Sequence, residues 1–427
     1  MAGQMSRRRI LGGAGAAALA QFAPAPSGGA ALGDIFHMPD EAGPHAATWM
    51  AYGATARAWG ATGAYGASRA AARGDLMRIA ANLSRFEPVR MLVDGAADLA
   101  EAQRYLAEAK AAPGPKFAGL HALPPVEAAG AVAFLAHPLD DLWMRDTGPV
   151  FVRGADGALH GVNFNFNGWG QADTGAKGWR KDAQKAAHGV ADQPIAADRT
   201  VADFVLGQAG AAKLTTWLVL EGGGVEVDGE GTAICTESCI LNSNRNPGLS
   251  KGEVEAELGR LLGVKTVIWL PGVRAKEVTD GHVDFYARFV GAAKVAYALD
   301  GDPQSPDFAP TQANARILAA AADAAGRPIE AIALPAPDFA KVQRAVEARN
   351  RWGGRGTFNA AGFAAGYVGF YAGAKCVLMG EFGDPSADAA AFAALTSLYP
   401  DRALLQFATD GIANGGGTIH CATQQQI

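Results

Sequence analysis

Four short segments of the 427-residue chain hold most of the side chains that could do chemistry. They are Asp140-Asp141-Leu142-Trp143-Met144-Arg145-Asp146-Thr147-Gly148-Pro149, Glu221-Gly222-Gly223-Gly224, Thr279-Asp280-Gly281-His282-Val283-Asp284 and Gly415-Gly416-Gly417-Thr418-Ile419-His420-Cys421. Together they offer a thiol, an imidazole, several carboxylates and an indole. Opposed carboxylates at Asp146 and Asp284 match a planar cation with five N–H donors, because each can accept paired hydrogen bonds. Trp143 could stack on that cation or on its carbon chain. A guanidinium held this way exposes its central carbon to a nucleophile at right angles to its plane. Cys421 can supply that nucleophile as a thiolate, since a nearby cation depresses its pKa. His282 would protonate the departing nitrogen as ammonia, then act as base for the water that releases a thiouronium-type intermediate. Glu221 would fix the tautomer and orientation of His282. Such a reaction needs no metal and no organic cofactor.

Taken singly, His282 reads as easily as a satisfied structural group, and Cys421 as an inert buried thiol. The set carries the argument. Asp280 fits a turn-capping role as well as a site role, and Arg145 reads as the structural partner of a buried carboxylate. Cys235 and Cys239 stand at C-x3-C spacing, with no second pair or nearby histidine in the sequence to complete a zinc site. They are expected to pack in or beside a strand, and Cys376, in the run Cys376-Val377-Leu378-Met379, in a buried one.

For these segments to form one pocket, something must gather them, and a repeat along the chain does so. Residues 287–298 and 368–379 each read as an apolar strand, a Gly/Ala/Lys turn and a second apolar strand. Residues 224–241, with a DGEG turn, and 149–164, with a GADG turn, follow the same plan. Each hairpin leads to a helix and a further strand: 251–262 then Thr266–Leu270, 311–324 then 329–334, 386–398 then 403–408. The 149–164 hairpin leads through a less regular region to a strand at Thr215–Leu220. Strand 47–52, helix 68–86 and strand 89–94 make a fifth set. Ser250 is placed to cap the helix at 251. Five such β-β-α-β units cannot bury their apolar faces alone, and closing round an axis brings their strand ends, with the four polar segments, to the middle. An ordinary α/β sandwich with accidental hairpin similarity is the competing architecture.

Hydrophobic residues at 49% and charged residues at 19% allow a large core, and a net charge of −5 gives no reason to expect a nucleic-acid partner. Four cysteines are too few for a disulfide framework in a chain this long. At the N-terminus, Ser6-Arg7-Arg8-Arg9-Ile10-Leu11 precedes a weakly apolar, Ala- and Gly-rich stretch to about Phe22, then Ala23 and Ala25 at signal-peptidase spacing. Residues 1–30 therefore read as a twin-arginine signal segment, with a basic tail as the alternative, and residues 36–427 as one domain. That reading implies an exported protein, periplasmic or secreted. No segment approaches a transmembrane span.

Six motifs in order also resemble a known family. Met38-Pro39-Asp40-Glu41, Pro44-His45 and Ala47-Thr48-Trp49-Met50-Ala51 open the chain as in agmatine deiminases and bacterial (Porphyromonas-type) peptidylarginine deiminases. Trp143–Pro149, Glu221-Gly222-Gly223, Leu241-Asn242-Ser243-Asn244-Arg245-Asn246-Pro247, Gly281–Asp284 and Gly415–Cys421 continue the likeness. The resemblance implies the pentein fold, a five-bladed α/β propeller of ββαβ units. It implies the nucleophile at Cys421, the acid/base at His282, Glu221 beside it, and carboxylates for the guanidinium at Asp146 and Asp284. The expected partner is a small guanidino molecule, agmatine above all, giving N-carbamoylputrescine and ammonia. Peptidyl-arginine or free-arginine deimination is the alternative; an amidinotransferase sharing the intermediate and a non-catalytic guanidine-binding periplasmic protein are the others. The sequence leaves the oligomeric state open. Departures from the family pattern fall at Ala42, Val278, Gly369 and Thr418, on the side of the substrate's tail.

Overall fold

The computed structural model describes residues 36–427 apart from 61–62, 174, 182–192, 350–357 and 361. The arginine-led segment read as an export signal lies outside the described residues. Five sheets share one connectivity: an antiparallel pair, then a third strand laid parallel to the second. The first consists of Val150–Arg153, Leu159–Val162 and Ala212–Leu214, the second of Val225–Val227, Thr232–Thr236 and Thr266–Leu270. The third consists of Ala287–Gly291, Lys294–Leu299 and Glu330–Pro335. The fourth has Tyr371–Ala372, Cys376–Glu381 and Ala403–Ala408, with Lys116–Ala118 added at its edge. The fifth is discontinuous in sequence: Gln424–Gln426 pairs antiparallel with Ala47–Ala51, which pairs parallel with Val89–Val93 and so with Val132–Ala136. That pairing joins the two ends of the domain in one sheet, and the arrangement is a mixed α/β fold of five like-connected sheets.

Local chemistry explains the elements. Between the second and third strands of the second blade, Ser250 accepts from Glu253 N while the Glu253 carboxylate accepts from Ser250 N, a capping box that starts helix Lys251–Leu262. Gly263, at φ 74°, ends it. The middle strand Thr232–Thr236 is buried throughout and carries Cys235; Cys376 is likewise buried on a strand, while Cys239 sits in the short helix Glu237–Ile240.

One element differs from expectation. The apolar run 215–220 is not a strand; the parallel partner of Leu159–Val162 is the shorter Ala212–Leu214. Leu218, Val219 and Leu220 are buried as their composition demands. Their hydrogen bonds go elsewhere, however: Val219 N donates to Asn246 Oδ1 and Leu220 N to the Phe164 carbonyl. The helix Gly95–Ala111 and the strand Val132–Ala136 extend the N-terminal unit beyond the repeat, while Lys116–Ala118 between them joins the fourth sheet.

Charged groups from several blades are sealed together in the middle. Arg288 donates to Glu226 and Glu41, and Arg145 to Glu41 and Gln425, with all five side chains buried. Removing one partner from such a set leaves an uncompensated charge, at a cost of about 3–5 kcal/mol. Among the described residues no helix is long and apolar enough to cross a membrane.

Candidate active site

The four polar segments do converge. A Cβ added to Gly223 would lie 2.6 Å from His282 Nδ1 and 3.0 Å from both Asp146 Oδ1 and Asp284 Oδ2. One glycine therefore stands at the meeting point of three side chains drawn from two other segments. Gly223 is part of the 3-10 turn Gly222–Gly224 that follows Glu221. Asp146 is delivered by the single helical turn Met144–Thr147, and Asp284 by the turn Val283–Phe285.

The imidazole of His282 is fixed at both ends. Nε2 is 3.0 Å from Glu221 Oε2, and Nδ1 is 3.7 Å from Asp146 Oδ1. Glu221 is in turn held by Arg245, whose Nε reaches its two oxygens at 3.0 and 2.9 Å, and Arg245 Nη1 donates to Asp280 at 2.8 Å. Against the push of burial, Arg245 and His282 draw the Glu221 carboxyl down to about 2. Burial favours neutral His282, yet Asp146, Cys239 and Glu221 raise its pKa well above the ordinary value, which favours the protonated ring.

The two carboxylates facing it differ: Asp146 is pushed up by burial, whereas Asp284, despite its burial, is held below its ordinary value by His420. Burial pushes the Asp146 carboxyl up to about 6; His282 opposes the shift, and the neighbouring Asp284 and Glu221 add to it. Asp146 Oδ2 accepts from Trp169 Nε1 at 2.9 Å, which sets its orientation. Asp284 Oδ2 lies 2.8 Å from His420 Nδ1, while Asp284 Oδ1 is buried with no hydrogen-bond partner among the described residues. An ionised oxygen left bare in a buried site is costly unless a donor arrives.

The sulfur of Cys421 is 3.6 Å from Asp284 Oδ2 and 3.4 Å from Thr418 Oγ1. Burial, then Asp284 and Asp146, push its thiol well above the ordinary value. The protein's own groups thus favour the thiol over the thiolate, and a cationic ligand would shift that balance. Trp143 donates its indole N–H to Asp141 at 3.1 Å and stacks on Trp59 with ring centroids 6.4 Å apart. Its ring lies where a Cβ on Gly417 would be, 2.1 Å away, so the triple-glycine run lets the indole close over the loop that carries Cys421.

All six residues singled out from the sequence, Cys421, His282, Glu221, Asp146, Asp284 and Trp143, are thus in or against one buried cluster. Asp280 proves structural: it is fully buried, at φ 64°, and accepts from Ala275 N, Asn244 and Arg245. Arg145 is structural as expected, paired with Glu41 at 2.8 Å. Sequence reasoning assigned no role to Glu41, His420, Arg245 or Trp169, although the first three stand inside the quoted motifs. Two departures from the family pattern account for each other. A Cβ at Gly369 would be 2.1 Å from Thr418 Oγ1, so the threonine fills the space a side chain at 369 would need.

The C-x3-C pair gains in space the histidine it lacks in sequence. Glu221, Cys239 and His282 offer donor atoms all within 4.8 Å of one another, a spacing a metal ion could use. Arg245 already engages both oxygens of Glu221, however, so the cation in this cluster is a guanidinium of the protein itself.

Comparison with known proteins places the geometry in a family. Residues 37–426 match the model of the Porphyromonas-type peptidyl-arginine deiminases. The chain is 34% identical to the agmatine deiminase of Ectopseudomonas mendocina over 397 residues, covering 92% of this chain and 96% of that one. It is 33% identical to the agmatine deiminase of Pseudomonas putida over the same length and shares. Among solved structures, the agmatine deiminase of Enterococcus faecalis superposes with a TM-score of 0.72 at 26% identity, covering 93% of this chain and 98% of that chain. This chain belongs to the Porphyromonas-type peptidyl-arginine deiminase family.

Proposed function

We propose that this protein hydrolyses agmatine to N-carbamoylputrescine and ammonia, with Cys421 as nucleophile and His282 as acid and base. The observation that carries the reading is the pair Asp146 and Asp284 beside a buried thiol: burial pushes the first carboxyl up, and the second keeps one oxygen with no hydrogen-bond partner among the described residues. A guanidinium supplies both the missing donors and the missing charge. Its positive charge also offsets the two anions that hold the Cys421 proton, so that substrate binding favours loss of that proton to solvent and leaves the thiolate.

Attack by the sulfur on the central carbon gives a tetrahedral adduct. The His282 imidazolium, placed by Glu221 and Arg245, gives its proton to the leaving nitrogen, and ammonia departs. The C–S bond then holds the remaining amidine as a thiouronium. His282, now neutral, takes a proton from water as that water adds to the same carbon; the sulfur leaves with the adduct's hydroxyl proton, which restores the thiol, and the ureido product remains. Asp146 and Asp284 hold the N–H groups throughout, which converts the encounter into an oriented one. Trp143, locked by Asp141 and Trp59, is the flat apolar surface for the substrate's carbon chain.

The full-length curated relatives are agmatine deiminases, which supports agmatine as the substrate. Export by the twin-arginine route is part of the same proposal and rests on Ser6–Leu11 and the small-residue stretch that follows. Ammonia release by the purified protein from agmatine, free arginine and an arginine-containing peptide, each beside Cys421→Ala, tests the substrate. Release from agmatine that vanishes in Cys421→Ala is the expected outcome. Release from the peptide or arginine alone would replace the substrate, and binding without release would replace catalysis with a receptor role.

A further inference from the structure

His420, the residue before the nucleophile, touches two buried carboxylates at once. Its Nδ1 is 2.8 Å from Asp284 Oδ2 and its Nε2 is 2.9 Å from Glu41 Oε2. A neutral imidazole has one donor and one acceptor nitrogen, whereas an ionised carboxylate only accepts. Against the push of burial, Arg288, His420 and Arg145 hold the Glu41 carboxyl well below its ordinary range. Burial likewise works on Asp284, and the contact with His420 still lowers it. With both partners ionised, each ring nitrogen has to donate.

Glu41 and Asp284 face the ring directly, and Glu41 is itself paired with Arg288 at 2.9 Å and Arg145 at 2.8 Å. Arg145 Nε also donates to the His420 carbonyl at 3.4 Å, so the ring and the backbone of His420 are both tied to this buried set. Asp284 in turn meets His282 and Asp146 at Gly223.

We propose that His420 carries both ring protons and is the positioning residue for Asp284. By engaging Oδ2 it fixes the carboxylate rotamer, so that the bare Oδ1 is the oxygen presented to the guanidinium. His420 never touches the substrate; it acts through Asp284, and through Glu41 it ties that carboxylate to the buried charged set. The inference rests on the proposed role of Asp284 in holding the guanidinium.

The first test reads the ring directly: nitrogen NMR of the substrate-free protein labelled at histidine, with the His420 signals assigned by their loss in His420→Asn. Two proton-bearing ring nitrogens at neutral pH are expected, and one bare nitrogen would overturn the proposal. The second test is a double-mutant cycle in agmatine turnover with His420→Asn and Asp284→Asn. Losing a hydrogen bond to a charged group predicts a fall in kcat/KM of roughly 10- to 100-fold for His420→Asn, mostly through KM. If His420 works through Asp284, the double variant is no worse than Asp284→Asn alone. Independent, multiplying losses would refute the positioning role. Should His420→Asn fail to fold, the NMR measurement on the unaltered protein still decides. Should the unaltered protein release no ammonia from any guanidine, the proposed function falls, while the ring's protons are read regardless.

Discussion

Gly223→Ala is the sharpest single test of the assembled site. Gly223 has no positive φ, so alanine is compatible with the backbone, and any effect comes from the added methyl. That methyl would sit 2.6 Å from His282 Nδ1, where ordinary contact begins at 3.4 Å, so one group has to yield by about 0.8 Å. His282 cannot swing freely, because Glu221 and Arg245 lock its far side. Asp146 and Asp284, at 3.0 Å, are crowded as well, and Asp146 is pinned by Trp169. Overpacking of this size typically costs about 1–3 kcal/mol of stability. At roughly 2 cal/mol/K of unfolding entropy per residue, that is a fall of only a few degrees in Tm. Catalysis is far less forgiving, since a displacement of about 1 Å at reacting groups can cost 10²-fold. Steady-state ammonia release from agmatine should therefore drop at least about 100-fold while thermal unfolding stays cooperative and nearly unshifted. Activity within a few-fold of the unaltered protein would show that His282, Asp146 and Asp284 do not meet at Gly223 in solution.

Other expectations follow from the same geometry. Asp146 has to be ionised to hold the guanidinium, so kcat/KM should fall as pH drops through about 6. The kcat profile should fall at lower pH, because the bound cation stabilises the carboxylate; coincident limbs would count against this assignment. The same raised value makes the fold take up a proton that the unfolded chain lacks between about pH 4 and 6, so this group's contribution to stability declines as pH rises through that window. Glu221→Gln should cost about 3–5 kcal/mol of stability by taking from the buried Arg245 one of the two carboxylates it pairs with among the described residues. It should also lower kcat by freeing His282; unchanged unfolding in denaturant would show that the Arg245 pair contributes little. Gly369→Ala should impair turnover by driving Thr418 against the sulfur it contacts at 3.4 Å, read as slower alkylation of Cys421 by a thiol reagent.

Much of this was legible in the sequence because repeat units and glycine-rich strand ends have local signatures. The hairpins at 224–241, 287–298 and 368–379, with their following helices and strands, are set by alternation, turn residues and caps within a few positions of one another. The reacting residues were legible as types in motifs, since thiol, imidazole and paired carboxylates imply a narrow chemistry. Partnership was not legible. Glu41 and His420 meet from nearly opposite ends of the chain, and no spacing in one sequence reports a contact across 379 positions. Cys239 and His282 are neighbours only once two blades stand side by side. The run 215–220 misled because burial and extension suffice for its composition, while its hydrogen bonds were taken by an asparagine and a carbonyl outside any sheet.

The pairing of Gln424–Gln426 with Ala47–Trp49 has a consequence for how the enzyme comes into being. Loop-closure entropy grows so slowly that joining strands this far apart costs only about 0.6 kcal/mol more than joining strands half as far apart. Equilibrium stability is therefore hardly affected by the separation, but the order of events is. Four blades have their three repeat strands contiguous in sequence, the fourth adding only the edge strand Lys116–Ala118, and can form as the chain is made, whereas the fifth waits for its own last strand. Cys421 lies three residues before that strand, and its carbonyl accepts from Arg145 N of a segment formed long before. The nucleophile is thus seated in the same step that joins the two ends of the domain. In refolding, ammonia-releasing activity should return later than the far-ultraviolet signal of the blades, and a chain stalled before closure carries no armed thiol.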